Sequence, residues 1–224
     1  EYPNATILGF DDLNKLLQER GIHIKRIGIV GSFYFPHSIY MLLQEGFKGA
    51  EFVDITDEYD YLRYFKSPCE VENIRTAFGM TYEALLAMEQ KVKPGATEIE
   101  VAAAGEYVCR SKNANGFAFQ TMVGSGIMSN AVAPVASNTP MKAGDMVLVG
   151  IAPRYNGYAG VMGDTLPVSG EYTQEQKDCV NVIREVFRKT RDALKPGECG
   201  KTLDPIGAKI YEKHGWTQYI VCPF

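Results

Sequence analysis

VLVGIAPRYNGYAGVMGDTLPV, residues 147–168, reads as two strands joined by a tight turn. Asn156-Gly157 is the turn: both residues tolerate positive φ, which a two-residue hairpin loop requires. β-branched and aromatic residues flank it, and Pro167-Val168 closes the stretch. The hairpin carries a single carboxylate, Asp164. In a strand, side chains alternate between faces. Positions 159, 161, 163 and 165 therefore share one face, and Asp164 points to the other.

Two helical patterns precede the hairpin. Val71, Ile74, Phe78, Tyr82 and Leu85 recur every three or four residues, the period of one helix face. This helix stops at Lys93-Pro94-Gly95. Thr97 and Glu100 fit a capping box that opens a second helix, running to about Arg110. Gly116-Phe117 then leads into the extended region. The same order recurs after the hairpin: a helix from Gln174 to Leu194, Lys195-Pro196-Gly197, a second helix to Lys213, then Gly215-Trp216. Aligned on the two Lys-Pro-Gly triplets, Phe78 matches Val180, Leu85 matches Phe187, and Val92 matches Leu194. The chain is an internal repeat of helix pair plus strands. The repeat implies strands beginning at Trp216, and about 40 further residues of sheet beyond Phe224 to complete the second copy.

The first 66 residues differ in character. A helix over 7–20, a strand over 26–30, a helix over 37–45 and a strand over 50–55 describe a small α/β unit. The stretch 57–68 reads as the junction, with Ser67-Pro68 as the break. The domains expected are 1–66, the latter part of an α/β domain, and 67–224.

Composition narrows the function. The chain has 224 residues, 46% hydrophobic and 22% charged, with a net charge of −4. No block of like charge suggests a nucleic-acid or membrane-surface partner. No apolar run reaches the ~18 residues of a membrane span. The start, EYPNATILGF, lacks the basic and apolar regions of a signal peptide and lacks Met, so a fragment is expected. Cys69, Cys109, Cys179, Cys199 and Cys222 are widely spaced and odd in number, as expected of reduced thiols in a cytoplasmic protein. The glycine-containing stretches 28–32 and 123–126 match neither nucleotide-loop pattern.

Two helix pairs, each followed by antiparallel strands, resemble the pita-bread α+β fold of the creatinase, prolidase and aminopeptidase P family. The stretches that carry the resemblance are LRYFKSPCEVENIR, KPGATEIEVAAAGEY, VGSGIMSNAVAP and the segment 141–170. In metal-dependent members that last segment reads approximately D-x-G-x-x-x-x-G-Y-x-x-D-x-T-R-T-x-P-V. Gly157-Tyr158 and Pro167-Val168 align it here without a gap. The resemblance then puts Gly150 and Val161 where the family has its two metal-binding aspartates. Gly163 falls on the Thr and Asp164 on the Arg. The family's catalytic His falls on Ala133 or Val135, so the chain also departs from the metal-free creatinase branch.

Two hydrolytic metal ions need carboxylate bridges that hold them ~3.5–4 Å apart. Gly150 supplies no ligand, and Val161 makes its patch apolar. No metal or other cofactor is expected. Candidate pocket residues are Phe119, Gly150 and Val161, with Ser125 and Asn130 where the family places its site loop. His37 joins them because the N-terminal domain of some members reaches the site across a dimer. The function expected is metal-independent hydrolysis of a small amino-acid-derived C–N bond, in a homodimer acting on a small molecule or short peptide. A catalytically inactive binding module, like the peptidase-like domain of a FACT-type histone chaperone, is the alternative. A dinuclear Xaa-Pro aminopeptidase or dipeptidase is the third.

Overall fold

A computed structural model describes residues 9–220, apart from the side chains of residues 10, 11 and 14. The chain divides into two compact units, Glu1–Val71 and Glu72–Phe224.

The first unit holds α1 (Phe10–Glu19), β1 (Arg26–Ile29), α2 (His37–Gly46), β2 (Glu51–Asp54) and α3 (Thr56–Tyr64). β1 and β2 pair in parallel, with Ile27 opposite Phe52 and Gly28 opposite Val53. α2 is the crossover that a parallel pair needs. Residues 7 and 8 of the expected first helix lie outside the described residues. The sequence reading took 57–68 as a junction, but most of it is helix α3. The Asp54 carboxylate accepts the Thr56 N–H at 2.9 Å as the helix begins. Asp57 and Glu58 in the first turn and Arg63 in the last complement the helix dipole.

In the second unit, α4 (Pro68–Lys91) crosses the junction and buries Ala77, Met80, Thr81, Ala84 and Met88. α5 (Glu98–Ser111) opens on Thr97, and both bonds of the Thr97–Glu100 capping box are present. The strands follow: β3 (Gly116–Phe117), β4 (Met122–Ser125), β5 (Met146–Ile151), β6 (Pro153–Tyr155), β7 (Tyr158–Ala159) and β8 (Met162–Pro167). They form two three-stranded sheets, ordered β3-β6-β7 and β4-β5-β8. The 3₁₀ turn Gly126–Asn130 leaves β4. Val123, Val147, Val149 and Ile151 of the sheet pack with Met88, Val101 and Cys109 of the helices in one buried core.

The hairpin pairs in two stretches, β5 with β8 and β6 with β7. Asn156 (φ 48°) and Gly157 (φ 87°) make the turn. Arg154 pairs with Ala159 near the turn, and Gly150 pairs with Gly163 farther out. The register is the same on both sides of the break, so no residue is inserted and no bulge re-aims Asp164. The break lies between β7 and β8, at Gly160 and Val161, and Gly160 rests directly on α4. The Thr81 hydroxyl reaches the Gly160 carbonyl at 3.0 Å.

The repeat is visible in the backbone. α6 (Gln174–Ala193) and α7 (Gly200–Lys213) form the second helix pair, with a Thr173–Gln176 capping box on α6. Gly95 (φ 86°) and Gly197 (φ 94°) of the two Lys-Pro-Gly triplets adopt the same left-handed conformation. The expected strand at Trp216 is not formed among the described residues. Thr217–Tyr219 is a 3₁₀ turn, in which the Tyr219 N–H reaches the Trp216 carbonyl at 2.9 Å.

Cys69, Cys109, Cys179 and Cys199 are free thiols, and Cys222 lies outside the described residues. Burial in the core pushes the Cys109 thiol up to about 11, with the charge of Glu106 adding to it. The thiolate is the reactive form. Cys109 is therefore expected to resist iodoacetamide at pH 8 until the protein unfolds, while Cys69 and Cys199 alkylate quickly. Peptide mass mapping of a time course checks this.

Candidate functional site

In an antiparallel ladder, directly opposite residues point to the same face. Gly150 and Gly163 are opposite each other, and Met122 of β4 is opposite Gly150. Alternation places Leu148, Val161 and Thr165 on that face as well. This is the face turned away from the core residues Val147, Val149 and Ile151. Beside it lies a cleft of about 370 Å³, whose far wall is Val180, Ile183 and Arg184 of α6. Phe119 and Val132 also line it.

The lining is mostly apolar, with Asp164 its only acid and Arg184 its only base. Asp164 is opposite Val149, so its side chain leaves the strand on the core-side face and meets the cleft at its edge. Its Oδ1 accepts the Thr165 N–H at 2.7 Å. The Tyr172 hydroxyl donates to the Thr165 carbonyl at 3.0 Å. Burial, and then the Asp164 charge, raise the Tyr172 phenol above its ordinary range.

These contacts close part of a sheet edge. β8 is the outer strand of its sheet. The Val168 N–H bonds to Asp145 of the β5 side, so alternation turns residues 163, 165 and 167 outward. Thr165 is already occupied, and Pro167 has no N–H. Among the described residues, Gly163 is left as an open backbone position beside the cleft.

A dinuclear metal centre does not fit this donor set. Gly150 has no side chain, and Val161 offers only methyl groups. Among the described residues no group of three or more His, Cys, Asp or Glu side chains is placed to hold a metal ion.

Of the six residues singled out in the sequence, Phe119, Gly150 and Val161 meet in the cleft. Ser125 does not. It is buried, and its N–H and hydroxyl both donate to Glu98 Oε1 at 2.8 Å. Asn130 borders a different cavity, near Trp216. His37 lines a crevice inside the first unit, with Ser32, Tyr40 and Asp54. Ser32 donates to Asp54, and this bond and those from Thr56 hold the Asp54 carboxyl below the usual range.

Glu98 escaped the sequence reading. It is 2% exposed and accepts four hydrogen bonds. Besides the two from Ser125, the Ser137 N–H and hydroxyl donate to Oε2 at 3.1 and 2.7 Å. Burial opposes its charge, but the bonds from Ser137 and Ser125 outweigh burial and hold the carboxyl below the ordinary glutamate range. Glu98 thus ties α5 to the end of β4 and to the loop before β5. Met122, Val132, Ile183 and Arg184 were also missed. Only the register opposite Gly150 reveals Met122, and only the fold brings α6 to the cleft.

Paired helices backed by antiparallel sheet, with a cleft on the sheet face away from α4 and α5, define a peptidase-like pita-bread architecture. Metallopeptidase family M24 matches residues 72–222, and the chain belongs to that family. The chain is similar to the Xaa-Pro dipeptidase of Pyrococcus furiosus, at 29% identity over 95% of this chain and 59% of that protein. It is similar to the Xaa-Pro dipeptidase of Pyrococcus horikoshii at 30% identity, over 88% of this chain and 55% of that protein. Among solved structures it resembles the prolidase from Pyrococcus furiosus (TM-score 0.86, 28% identity, 97% of this chain and 62% of that one). The X-Pro aminopeptidase from Thermotoga maritima is also similar (TM-score 0.83, 27% identity, 93% and 58%). The chain therefore spans between half and two thirds of the length of these relatives. Among the described residues no helix is long and apolar enough to cross a membrane.

Proposed function

We propose that the cleft beside β8 binds a short peptide or amino-acid derivative, and that the chain is part of a hydrolase acting on its C–N bond without metal at positions 150 and 161. The observation that carries this is the cleft itself. An outward backbone position at Gly163 can pair with an amide, apolar walls surround it, and Arg184 is available to a carboxylate. The family's two aspartate positions, as the hairpin motif aligns them, carry Gly150 and Val161. A homodimer in the cytoplasm, acting on a small substrate with neither nucleic acid nor membrane as partner, is part of the same proposal.

A second reading has an observation of its own. Asp164, the sole acid of the cleft, leaves its strand on the opposite face and is already bonded to the backbone. No other side chain in the lining is suited to general acid–base work. This favours a peptidase-like module that binds without turning over.

Xaa-Pro dipeptides and small amidines, offered to the full-length gene product with and without EDTA, separate the readings. Hydrolysis unaffected by EDTA is the result expected. Calorimetric binding with no turnover selects the binding module. Turnover that appears only with manganese or cobalt overturns the proposal.

A further inference from the structure

The floor of the cleft is hollowed by glycine. Gly124, Gly150 and Gly163 all fall on the sheet face turned away from α4 and α5, and Gly150 stands directly opposite Gly163. Glycine inside a strand often marks a place where another group comes close to the backbone. We propose that the hollow at Gly150 is an apolar subsite for a compact aliphatic side chain of the bound peptide or amino-acid derivative, and that Met122 is the residue that sets its size. This rests on the cleft being a peptide or amino-acid site and adds what that site selects.

Three observations lead there. The first is what fills each hollow. A Cβ at position 124 would lie 2.5 Å from Pro134 Cβ and 2.7 Å from the Met128 carbonyl oxygen, so a rigid ring and backbone already close that space. A Cβ at position 150 would meet the Met122 Cε at 2.7 Å, with the Met122 Cβ next at 3.7 Å. Only the tip of a flexible side chain occupies this second hollow. Methionine is unbranched and turns about three bonds, which lets it fill a gap and withdraw from it.

The second is the placing of Phe119. β5 pairs with β4, and β6 pairs with β3. The Ala118 N–H bonds to the Ala152 carbonyl at 2.8 Å, and Met122 is opposite Gly150. Between these two links Phe119, Gln120 and Thr121 stand against Ile151 alone. Extra residues on one strand form a bulge, which re-aims side chains and recurs beside functional sites. Here it brings Phe119 into the cleft lining with Met122.

The third is the chemistry of the floor. Phe119, Met122, Leu148 and Val161 offer only carbon and a thioether. Asp164 leaves its strand on the other face, and Arg184 belongs to the far wall. A charged or amide-bearing side chain on this floor loses water and finds no side-chain partner. An aliphatic one gains by the same loss of water. Residues 119–163 form the subsite by themselves, on strands whose other face is packed in the core. The hairpin motif puts the family's metal-binding aspartates at Gly150 and Val161, so the aliphatic group stands where those members hold ions.

The Met122 methyl group reports on the hollow directly. The full-length gene product, carrying ¹³C in its methionine methyl groups, is titrated with N-acetyl amino acids and followed by NMR. The Met122 resonance is the one lost in Met122→Ala. N-acetylleucine and N-acetylvaline are expected to move it saturably and to bind about tenfold more tightly than N-acetylglycine. N-acetylglutamate is expected to bind no more tightly than N-acetylglycine. Gly150→Ala fills the hollow and is expected to erase the preference for leucine over glycine. Met122→Ala widens it and is expected to turn the preference from N-acetylleucine to N-acetylphenylalanine, a change of ratio that lost stability alone would not produce. Circular dichroism verifies that each variant is folded. Saturable but equal binding of N-acetylleucine and N-acetylglycine would overturn the subsite and leave the cleft as a peptide site. So would a Met122 methyl unmoved by saturating N-acetylleucine. No saturable binding of any of these compounds would overturn the subsite and the peptide site together.

Discussion

Glu98→Ala is expected to destabilise the Glu72–Phe224 unit by about 3 kcal/mol, the scale for leaving buried donors without the acceptor of their charge-assisted hydrogen bonds. For a unit of this size that lowers the melting midpoint by roughly 6–12 °C. The reason is the company the carboxylate keeps. Four donors from Ser125 and Ser137 converge on it, and of these only the Ser137 hydroxyl has a second acceptor within reach, Thr139 Oγ1 at 2.7 Å. Glu98→Gln keeps the volume but puts an NH₂ group against donors, so it is expected to fall between wild type and alanine. Acidification acts on the same group. The folded state holds this carboxyl below its unfolded value. Its contribution is therefore complete above the ordinary glutamate value of about 4.3 and is lost as pH falls through the lower, folded value. Below about pH 4 the wild-type midpoint should fall more steeply with pH than that of Glu98→Gln. Parallel slopes from differential scanning calorimetry would contradict the role assigned to Glu98.

Gly160→Ala is expected to cost about 3 kcal/mol, at the upper end of what one added methyl group does in a packed interior. A Cβ at this position would lie 2.5 Å from the Phe78 nitrogen and 2.6 Å from the Ala77 carbonyl carbon. Both are backbone atoms of α4 and cannot rotate away. The hairpin would have to lift from the helix, stretching the bond between Thr81 and Gly160. Gly157→Ala makes the contrast. Nothing lies within 4 Å of a Cβ there, and only the positive φ is strained. That substitution is expected to cost about 1 kcal/mol. Chemical denaturation of the two variants, with the larger loss at Gly160, tests the docking of the hairpin on α4.

Much of the fold was legible because its punctuation is chemical. Asn156-Gly157 permits one kind of turn, the Lys-Pro-Gly triplets end helices, and Thr97 with Glu100 caps one. The misses have physical causes too. Residues 57–64 are polar and aromatic without a clear apolar stripe, so α3 looked like a junction. Trp216 followed the pattern of Phe117, but the residues after it form the 3₁₀ turn Thr217–Tyr219. The cleft was half legible. Positions 150 and 161 could be paired by strand alternation alone, and the constant register places them together. Ile183 and Arg184 lie on a helix well separated from the hairpin in sequence, and no local pattern points them at it. Glu98 stands beside a capping box, where an acid looks like an ordinary partner of the helix dipole. Its donors lie 27 and 39 residues away, and only folding brings them in.

Family membership and local chemistry pull in different directions in this chain, and metal content decides between them most directly. Protein purified with manganese or cobalt present, desalted and analysed by inductively coupled plasma mass spectrometry, is expected to carry far less than one metal ion per chain. Gly150 and Val161 leave the cleft without the carboxylates that two adjacent cations require. About two ions per chain, lost together with Xaa-Pro cleavage on chelation, would contradict the account.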